Sequence, residues 1–573
     1  MKSHTKVAPA SSRLVLSSLL ACSLVGIQPL QASPRPSDAS SDANAAAMTA
    51  AHEAAKGDTL LEALLTELER SKAQLKMDQV QAPYYIEYRV NDVDDFRAES
   101  AFGAIRESNR SHIRVLRVVV RIGDYKQDSY YNQGVGSATI LPLDNDPIAL
   151  RRQIWLLTDE AYKSAADAYA EKLSALKQYV ADTTPIDDFA KESVVSSVGE
   201  TVKLKVDQSS WNETLDQMTN SYRQYPDIQS VSADAHFSAV NEYFVNSEGT
   251  IVRQGKTTAT VTLGSATQAT DGMRLGRSPF WTEERPEDLP TRETLLKETK
   301  KTLDTLKALR EAPVVEESYR GPVLFAPDAA NDIVASLVGT NIIGRKPQLG
   351  RPNRTIGAFA TSYKTRILPK FVTVVDDPTQ DLFNGKKLVG SYGVDSEGVK
   401  AQPVTLVSSG VLESYLVGRQ PLRDFPESNG HSRATPGGAP MPSLGVLMLK
   451  SAEAETPQAL NEKLRQMAAA ADKPYGYRVE TLGPGNAPRL LYRVYVKDGH
   501  EELVRGAVFN ELDVRALRND LAAVGNDPLV SNRASGTPQT IISPSLLFDE
   551  LEVKRADTSK DKLPEYPAPD LKK

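Results

Sequence analysis

Cysteine is almost absent from this chain. Its 573 residues include one, Cys22, which lies in an apolar segment near the N-terminus. An intrachain disulfide needs two cysteines, and thiol catalysis needs a reactive cysteine in the folded protein. If the apolar segment is removed on export, the remaining chain can form no disulfide. Its stability would then rest on the burial of its core alone.

Histidine is also scarce, and the histidines are far apart. Beyond residue 32 they are His52, His112, His236, His431 and His500, with no two within five residues of each other. Zinc sites commonly draw two ligands from one short segment. The sequence therefore predicts no metal site and no cofactor, although distant histidines could still meet in the fold. The G-x-S-x-G elbow, the P-loop and a strand followed by G-x-G-x-x-G are missing as well.

Long apolar runs are confined to the start of the chain. Three cations precede the apolar run 14–27, and Ala32 offers a small residue for cleavage. This pattern predicts a secretory signal peptide over 1–32, a periplasmic or secreted location, and no membrane-spanning segment afterwards. A buried N-terminal helix is one alternative. Lipoprotein cleavage at Cys22 is another, and it fits less well because the apolar run continues past the cysteine.

Positive charge does not exceed negative charge in this chain. The formal net charge is −6, and without residues 1–32, which carry Lys2, Lys6 and Arg13 but no acidic residue, it is −9. Surfaces that bind nucleic acids are rich in lysine and arginine. The charge balance therefore argues against a nucleic-acid partner.

The order of helical and strand patterns predicts an α+β protein. A mixed N-terminal α/β domain is followed by a β-rich C-terminal domain. A stretch rich in Ala, Ser and Pro is interpreted as a flexible linker, and the charged, proline-containing end as a loose tail. The predicted divisions are 1–32 for the signal peptide, 33–57 for the linker, 58–312 and 313–555 for the two domains, and 556–573 for the tail.

Hydrophobic periodicity locates individual elements. Predicted helices begin at a capping-box pattern at Thr59 and cover 149–180, 292–310, 326–339 and 457–471. Strands are predicted at 84–90, 113–122, 231–263 with a turn at 246–249, 371–375, 388–390, 404–407, 412–417 and 489–496. The acidic stretch 91–95 is interpreted as a solvated turn.

Short motifs in the second half occur in a distinctive order. They are Tyr-Arg-Gly-Pro-Val-Leu-Phe at 319–325, Asp-Asp-Pro at 376–378, Asp-Ser-Glu-Gly at 395–398 and Ser-Gly-Val-Leu at 409–412, followed by Tyr415 and Arg419. Asn-Ser-Glu-Gly at 246–249 is a further motif in the first half. The ordered set resembles the TldD/PmbA family of peptidase-like proteins over most of the chain. This resemblance implies a C-terminal domain of TldD/PmbA type.

The resemblance also identifies where a metal site would lie. In the family's metal-bearing subunit a helix carries His-Glu-x-x-x-His, and a cysteine near the C-terminus completes the site. The equivalent stretch here is 333–344, where Gly339 fits the family's run, as do Val338 and Gly344. Ala335 and Thr340 stand at the histidine positions and Ser336 at the glutamate position. Alanine cannot ligate a metal and a lone threonine is a poor zinc ligand, so the implied site is degenerate, with no catalytic residue.

Two segments resemble parts of the family's peptide-binding region. Residues 428–433 resemble its Gly-x-x-Arg loop, which makes His431 and Arg433 candidates for binding a peptide, Arg433 through a carboxylate. Asp395 and Glu397 are candidates in an acidic turn. For residues 428–433, the alternative is an ordinary surface loop. For the acidic turn, the alternative is carboxylates that bind backbone N–H groups.

The function implied by the resemblance is that of an exported, catalytically degenerate subunit. The family's PmbA-type subunit lacks the metal ligands and pairs with a TldD-type subunit that has them. The expected partners are a peptide or protein substrate, added as a strand to a sheet edge, and either a TldD-type subunit or a second copy of this chain. The alternative is an active peptidase, metal-dependent or not, with a non-standard site. The sequence leaves open whether the chain is an enzyme.

Overall fold

The structure is a computed structural model that describes residues 49, 52–130, 136–178, 185–347, 355–566 and 569. The predicted signal peptide, Cys22 and most of the predicted linker lie outside the described residues. Residues 47–573 form one compact unit, and the division at residue 312 stays a prediction. Among the described residues, no helix is both long and apolar enough to cross a membrane.

The first long helix is capped by an aspartate. Residues 52–55 are helical and Ala55 is fully buried, so the described end of the predicted linker is packed against the protein. Helix α1 (Thr59–Gln74) follows, and the carboxylate of Asp58 accepts hydrogen bonds from two N–H groups of its first turn at 3.1 Å each. Aspartate is a strong N-cap because it satisfies N–H groups that have no partner within the helix. The sequence pattern predicted the helix correctly but placed its cap one residue late.

One eight-stranded sheet organises the first half. Its strands are β1 (Tyr85–Ala101), β2 (Ala104–Arg121), β3 (Ser137–Ile140), β4 (Ser196–Val198), β5 (Ser230–Asn246), β6 (Ile251–Gln268), β7 (Arg274–Arg277) and β8 (Phe280–Glu283). Their order is β3-β2-β1-β5-β6-β4, and β7 and β8 both pair with β6. The two long hairpins β1–β2 and β5–β6 therefore lie side by side at the centre.

The acidic stretch 91–95 lies in the middle of β1, so the predicted solvated turn is wrong. Asp92 Oδ2 lies 2.7 Å from Nη2 of Arg114 on β2, and Asp94 Oδ2 lies 2.7 Å from Nη2 of Arg110. Opposite charges on neighbouring antiparallel strands stabilise their pairing. These ion pairs explain how Asp and Asn, which are poor strand formers, continue the strand here.

Helices cover one face of this sheet, and the other face is mostly polar but includes Val93 and Val240. α1 and α2 (Pro147–Leu176) pack on one end, and α3 (Gln208–Asn220) and α4 (Arg292–Glu311) on the other. The predicted helix at 292–310 is confirmed, and the one predicted at 149–180 is confirmed but ends at Leu176. Side chains in a strand alternate between faces. The residues between the core positions of β1, β5 and β6 therefore point away from the helices.

Two further sheets share the main core of the second half. Its elements are β9 (Tyr319–Phe325), α5 (Pro327–Ile333), β10 (Val372–Asp376), β11 (Leu382–Phe383), β12 (Lys386–Lys387), β13 (Val404–Ser408), β14 (Val411–Leu412), β15 (Ser432–Arg433), β16 (Met441–Pro442), β17 (Val446–Ser451), β18 (Ala454–Glu455), α6 (Pro457–Ala470), β19 (Tyr475–Leu482), β20 (Pro488–Tyr495), β21 (Glu501–Val504), β22 (Ala507–Phe509), α7 (Val514–Asn519), β23 (Leu521–Gly525), β24 (Leu529–Arg533), β25 (Gln539–Ser543) and β26 (Leu546–Arg555). The sheets have the orders β14-β13-β10-β17-β25-β24 and β18-β23-β26-β9-β19-β20-β21, with β22 on β26. α5 packs into the core that both sheets line. The α+β class is confirmed.

Three local predictions differ from the structure. Residues 388–390 end in a turn, although Leu388 is buried as a strand residue would be. Of the predicted strand 412–417, only Leu412 lies in a strand, β14, and Leu416 forms an isolated bridge. In the predicted loose tail, the carbonyl of Lys562 accepts a hydrogen bond from Gln268 Nε2 at 2.8 Å, which ties this part to β6. Apolar composition alone does not separate a buried turn from a short strand.

Candidate functional site

A π-helical turn, Val334–Gly339, directly continues α5. The N–H of Thr340 donates to the carbonyl of Ala335, five residues earlier, at 3.2 Å. Successive residues of a regular α-helix are about 100° apart, so residues five apart diverge by about 140°. The wider π-turn brings such residues close to one above the other. The π-turn therefore brings positions 335 and 340, which are five residues apart, to roughly the same face of the helix.

The π-turn forms one wall of a cavity of about 430 Å³, called here the helix cleft. It is lined from the turn by Ala335, Ser336, Gly339 and Thr340, and from the other side by residues that include Ser443, Asn486, Arg533 and Gln539. Gly339 packs closely against Leu444, since a Cβ there would lie 2.9 Å from Leu444 Cδ1. The helix cleft is thus lined by all three positions that the family resemblance assigns to two metal ligands and a base.

The side chains at these positions do not fit a metal ion. Ala335 has no donor atom. The hydroxyl of Ser336 donates to the carbonyl of Asp332 at 2.7 Å, and that of Thr340 donates to the carbonyl of Ser336 at 2.5 Å. Among the described residues, no three His, Cys, Asp or Glu side chains are grouped so that they could hold a metal. The predicted degeneracy of the site, which rests on the family resemblance, stays a prediction.

An ion pair that sequence reasoning missed lies at the edge of the helix cleft. Asp332 Oδ1 is 2.7 Å from Nη2 of Arg533 on β24. Burial raises the pKa of Asp332, and the Arg533 guanidinium opposes that rise. Asp332 lies one turn before Ala335, so helical spacing could have identified it. Arg533 is distant in sequence, and no local pattern indicates it.

A second cavity of about 380 Å³, the edge groove, adjoins the helix cleft through Asp332 and Arg533. All five residues of β24 and all four of β8 line it. Both are end strands of their sheets and have neighbours on one side only. A hydrogen bond of 3.3 Å from Asn532 Nδ2 to the carbonyl of Thr282 joins the two strands. End strands carry unpaired backbone groups that can accept an added strand.

Two of the predicted peptide-binding residues are brought together in a buried turn. Asp395 and Glu397 are 2% and 8% exposed. Asp395 accepts 2.9 Å hydrogen bonds from the N–H groups of Glu397, Val399 and Ser432, and Glu397 Oε2 accepts one of 2.7 Å from the N–H of Arg419. These contacts match the alternative in which carboxylates bind backbone N–H groups. Peptide binding by the pair stays a prediction.

His431 is fully buried beside these residues. Its Nδ1 lies 2.8 Å from the carbonyl of Asn429, and a carbonyl can only accept, so Nδ1 is the donor. Its Nε2 lies 3.4 Å from Asp376 Oδ1. The carboxylate of Asp376 accepts hydrogen bonds from the N–H groups of Gly445 and Val446. His431 thus joins its loop to β10 and β17, and its proposed contact with a peptide stays a prediction.

Arg433, unlike the three buried candidates, lines a cavity formed by described residues. It contributes to a space of about 600 Å³, the sheet cavity, whose floor is the polar face of β1, β5 and β6. The connection between β24 and β25 separates this cavity from the helix cleft. Ala534, Gly536 and Pro538 line the sheet cavity, while Thr537 lines the helix cleft together with the flanking Arg533 and Gln539. The connection is therefore a wall shared by both cavities.

The buried acidic turn predicts a pH-dependent stability. Burial and the neighbouring Glu397 carboxylate raise the pKa of Asp395 to about 8, against the effect of its three N–H donors. The folded protein then keeps a proton that the unfolded chain releases near pH 4. The unfolded state binds fewer protons between pH 4 and 8, so the free energy of unfolding decreases as pH rises, by at most about 1.4 kcal/mol per pH unit.

The measurement is urea denaturation at several pH values between 5 and 8. Glu397→Gln removes the like charge and keeps an oxygen that can accept from Arg419, so its stability should depend less on pH. Glu453→Gln on the surface is the matched control and should keep the wild-type dependence. Equal slopes for wild type and Glu397→Gln would show that Asp395 and Glu397 do not share a proton.

Comparison with known proteins gives a family match for the second half. Residues 318–555 match the model of the PmbA/TldA metallopeptidase C-terminal domain. A metalloprotease of Methanothermobacter thermautotrophicus is 37% identical over 86 residues, which is 15% of this chain and 18% of that protein. A metalloprotease of Methanocaldococcus jannaschii is 24% identical over 294 residues, 50% of this chain and 59% of that protein. The matches thus span less than two thirds of the length of either relative.

Solved structures share the fold over most of the chain. A Thermotoga maritima protein, named as a proposed modulator of a DNA gyrase, superposes with a TM-score of 0.59 at 15% identity, covering 86% of this chain and 100% of that one. TldE from Thermococcus kodakarensis superposes with a TM-score of 0.56 at 14% identity, covering 86% and 99%. At these identities the likeness is one of fold.

Proposed function

The chain belongs to the TldD/PmbA family, and on this premise we propose that it is a catalytically degenerate peptidase-like subunit that binds an extended peptide. The observation that carries the proposal is the composition of the helix cleft. The cleft is open, the π-turn is present, and the positions for ligands and base hold Ala335, Ser336 and Thr340. A site that keeps its shape and loses its ligands is suited to binding rather than to metal-dependent hydrolysis.

The edge groove supports the peptide part of the proposal. An extended peptide that hydrogen-bonds to the free edge of β24 would run toward the helix cleft, because Asp332 and Arg533 line both spaces. Strand addition draws its affinity from the peptide backbone and its selectivity from pockets for alternate side chains. The charged pair at the junction is placed to contact polar groups of such a peptide.

Catalysis would then be supplied by another subunit. We place this chain beside a metal-bearing TldD-type subunit, or beside a second copy of itself, and in the periplasm or outside the cell. Close packing at Gly339 and at Gly344, where a Cβ would lie 2.7 Å from Val417 Cγ1, supports a role of this segment in packing. Export is tested by N-terminal sequencing of the protein from its native source, where a first residue near Ser33 is expected and an intact Met1 would contradict it.

The competing function is an active metallopeptidase with a non-standard site. It is favoured by the names of the two sequence relatives, both metalloproteases. It predicts stoichiometric metal in the purified protein and hydrolysis that is lost with EDTA and restored by metal.

One experiment separates the two functions. The protein, purified without a histidine tag, is examined for metal by elemental analysis and for binding of fluorescein-labelled carboxymethylated α-lactalbumin, an unfolded chain, by anisotropy. We expect metal far below one per chain, and peptide-chain binding that Thr340→Trp weakens by about tenfold or more, since the indole would occupy the cleft. Thr305→Trp on α4 is the matched control and should bind like wild type.

One metal per chain together with EDTA-sensitive hydrolysis would establish the competing function. Absence of binding, or equal binding by the Thr340→Trp variant, would remove the helix cleft as the peptide site.

A further inference from the structure

We infer that the sheet cavity is a second ligand site, which binds the carboxylate of a small organic acid between Lys256 and Arg433. The site lies on the other side of the 534–538 wall from the helix cleft and does not rest on the proposed peptide function. Its volume of about 600 Å³ is in the range of small-molecule sites. The argument rests on the two cations, on their missing counter-ion and on the apolar surface beside them.

Lys256 is a cation without an acidic partner. It lies on β6, and its Nζ donates to the carbonyl of Ser391 at 2.8 Å and to its hydroxyl at 3.3 Å. An ammonium group has three hydrogens, so one donor remains. Among the described residues no ion pair to Nζ is formed, although Asp95, Glu242 and Glu284 also line the cavity. Burial and the nearby Arg433 lower the pKa of Lys256 to about 8.

Arg433 provides the second cation and is held rigidly. It belongs to the β15–β16 hairpin, and its guanidinium carbon lies 4.1 Å from the centre of the Tyr392 ring. The Tyr392 hydroxyl donates to the carbonyl of Gly430 at 2.9 Å, which fixes the ring. Nη1 of Arg433 is buried and has no hydrogen-bond partner in the described part of the chain. A buried N–H donor without an acceptor is unfavourable, and a carboxylate would supply the acceptor.

Two neighbouring cations disfavour each other, and Arg433 adds to burial in lowering the pKa of Lys256, while Glu284 opposes this effect. An oxyanion placed between them would relieve this repulsion and use the free donors of both. A guanidinium can form two parallel hydrogen bonds to a carboxylate, and the ammonium can add a third. The pair is therefore complementary to a single carboxylate.

The surroundings of the pair indicate that the acid carries an apolar body. In the sheet register Lys256 lies opposite Val240, which lies opposite Val93, and all three line the cavity. The shared wall adds Ala534 and Pro538. Apolar surface beside an ionic group is typical of sites for small organic ligands. A bare inorganic ion would leave this surface unused.

The test uses N-acetyl-leucine as probe, with its amide as an uncharged control, in isothermal titrations of the full chain. We expect the acid to bind with a dissociation constant on the order of millimolar, as for a ligand of its size. The amide should bind at least about tenfold more weakly, because it loses the charged hydrogen bonds. Lys256→Met and Arg433→Met should each reduce affinity for the acid by a similar factor.

Controls separate this site from the proposed peptide site. Arg345→Met removes a cation from the helix cleft without filling it, and this variant should bind the acid like wild type. Lys256→Met also removes a contact to Ser391, so its folding is checked by circular dichroism; Arg433→Met provides the second, independent variant. Equal binding of acid and amide, or unchanged affinity in both cation variants, would overturn the proposal. Inorganic phosphate that binds as tightly as the acid would also overturn the assignment to an organic carboxylate.

Discussion

Replacing Arg419 with methionine is expected to lower the free energy of unfolding by about 3–5 kcal/mol, which is typical when one partner of a buried ion pair is removed. Arg419 is 1% exposed. Nη1 and Nη2 each donate to one carboxylate oxygen of Glu248 at 2.8 Å, and Nη2 donates to the carbonyl of Ala190 at 2.7 Å. The guanidinium also lies over the Phe189 ring, 4.0 Å from its centre.

The expected loss of stability is large because methionine at position 419 leaves the Glu248 carboxylate without its cation. Glu248 would remain with a charge and only the Tyr125 hydroxyl, at 2.7 Å, and Asn246 Nδ2, at 3.2 Å, to stabilise it. An unpaired buried charge is far less favourable than a paired one. Arg419 also joins the β5–β6 turn to the 189–190 segment, so its removal loosens parts that are distant in sequence.

The measurement is urea denaturation followed by circular dichroism. Adding Glu248→Gln to Arg419→Met should restore part of the lost stability, because the unpaired charge is removed, and a double-mutant cycle gives the coupling between the two residues. Arg320→Met is the control, since Arg320 is half exposed and its ion pairs with Glu511 and Glu550 lie at the surface. A loss for Arg419→Met as small as that of the control would contradict the expected role.

The second large effect is expected from placing two histidines at positions 335 and 340, at the π-turn. The variant Ala335→His with Thr340→His should bind zinc on the order of 100-fold more tightly than either single substitution, because the second imidazole binds intramolecularly. The physical reason is the hydrogen bond from the N–H of Thr340 to the carbonyl of Ala335, which places the two positions close to one above the other. Both side chains would face the helix cleft.

The matched control places the same pair on a regular helix. Lys300→His with Thr305→His on α4 has the same spacing of five, but the side chains diverge by about 140°. Zinc affinity is measured by competition with a chromophoric chelator. Equal affinities for the two double variants would show that the π-turn does not orient these positions as described.

Much of the fold could be predicted from the sequence because it is encoded locally. The apolar spacing in 59–74 and 292–311 specifies helices, and Asn246 with Gly249 specifies the turn between two strands. The extent of β1 could not be predicted. Asp92 and Asp94 are typical of turns, and only their ion pairs with arginines on β2 explain why they lie in a strand. Cross-strand pairing is information that a linear pattern does not contain.

The candidate site, like the fold, could be predicted from the sequence only in part. Ala335, Ser336 and Thr340 could be identified in one helix from the motif, and the structure places all three in one cleft. The π-turn itself could not be predicted, since its residues are compatible with an ordinary helix. The juxtaposition of Lys256 with Arg433 depends on how β6 meets the β15–β16 hairpin, and nothing local to either residue indicates it. Burial of Asp395 and His431 likewise depends on the packing of the two halves against each other.

The wall formed by residues 534–538 has a thermodynamic consequence. A ligand that shifted this connection from one side would change the space available on the other side, and binding in the two cavities would then be linked. Linkage between binding equilibria is reciprocal: the factor by which an occupant of one cavity alters affinity in the other equals the factor for the reverse order. An organic acid in the sheet cavity would then act as an effector of whatever occupies the helix cleft, and titrating each occupant against the other measures one and the same coupling constant.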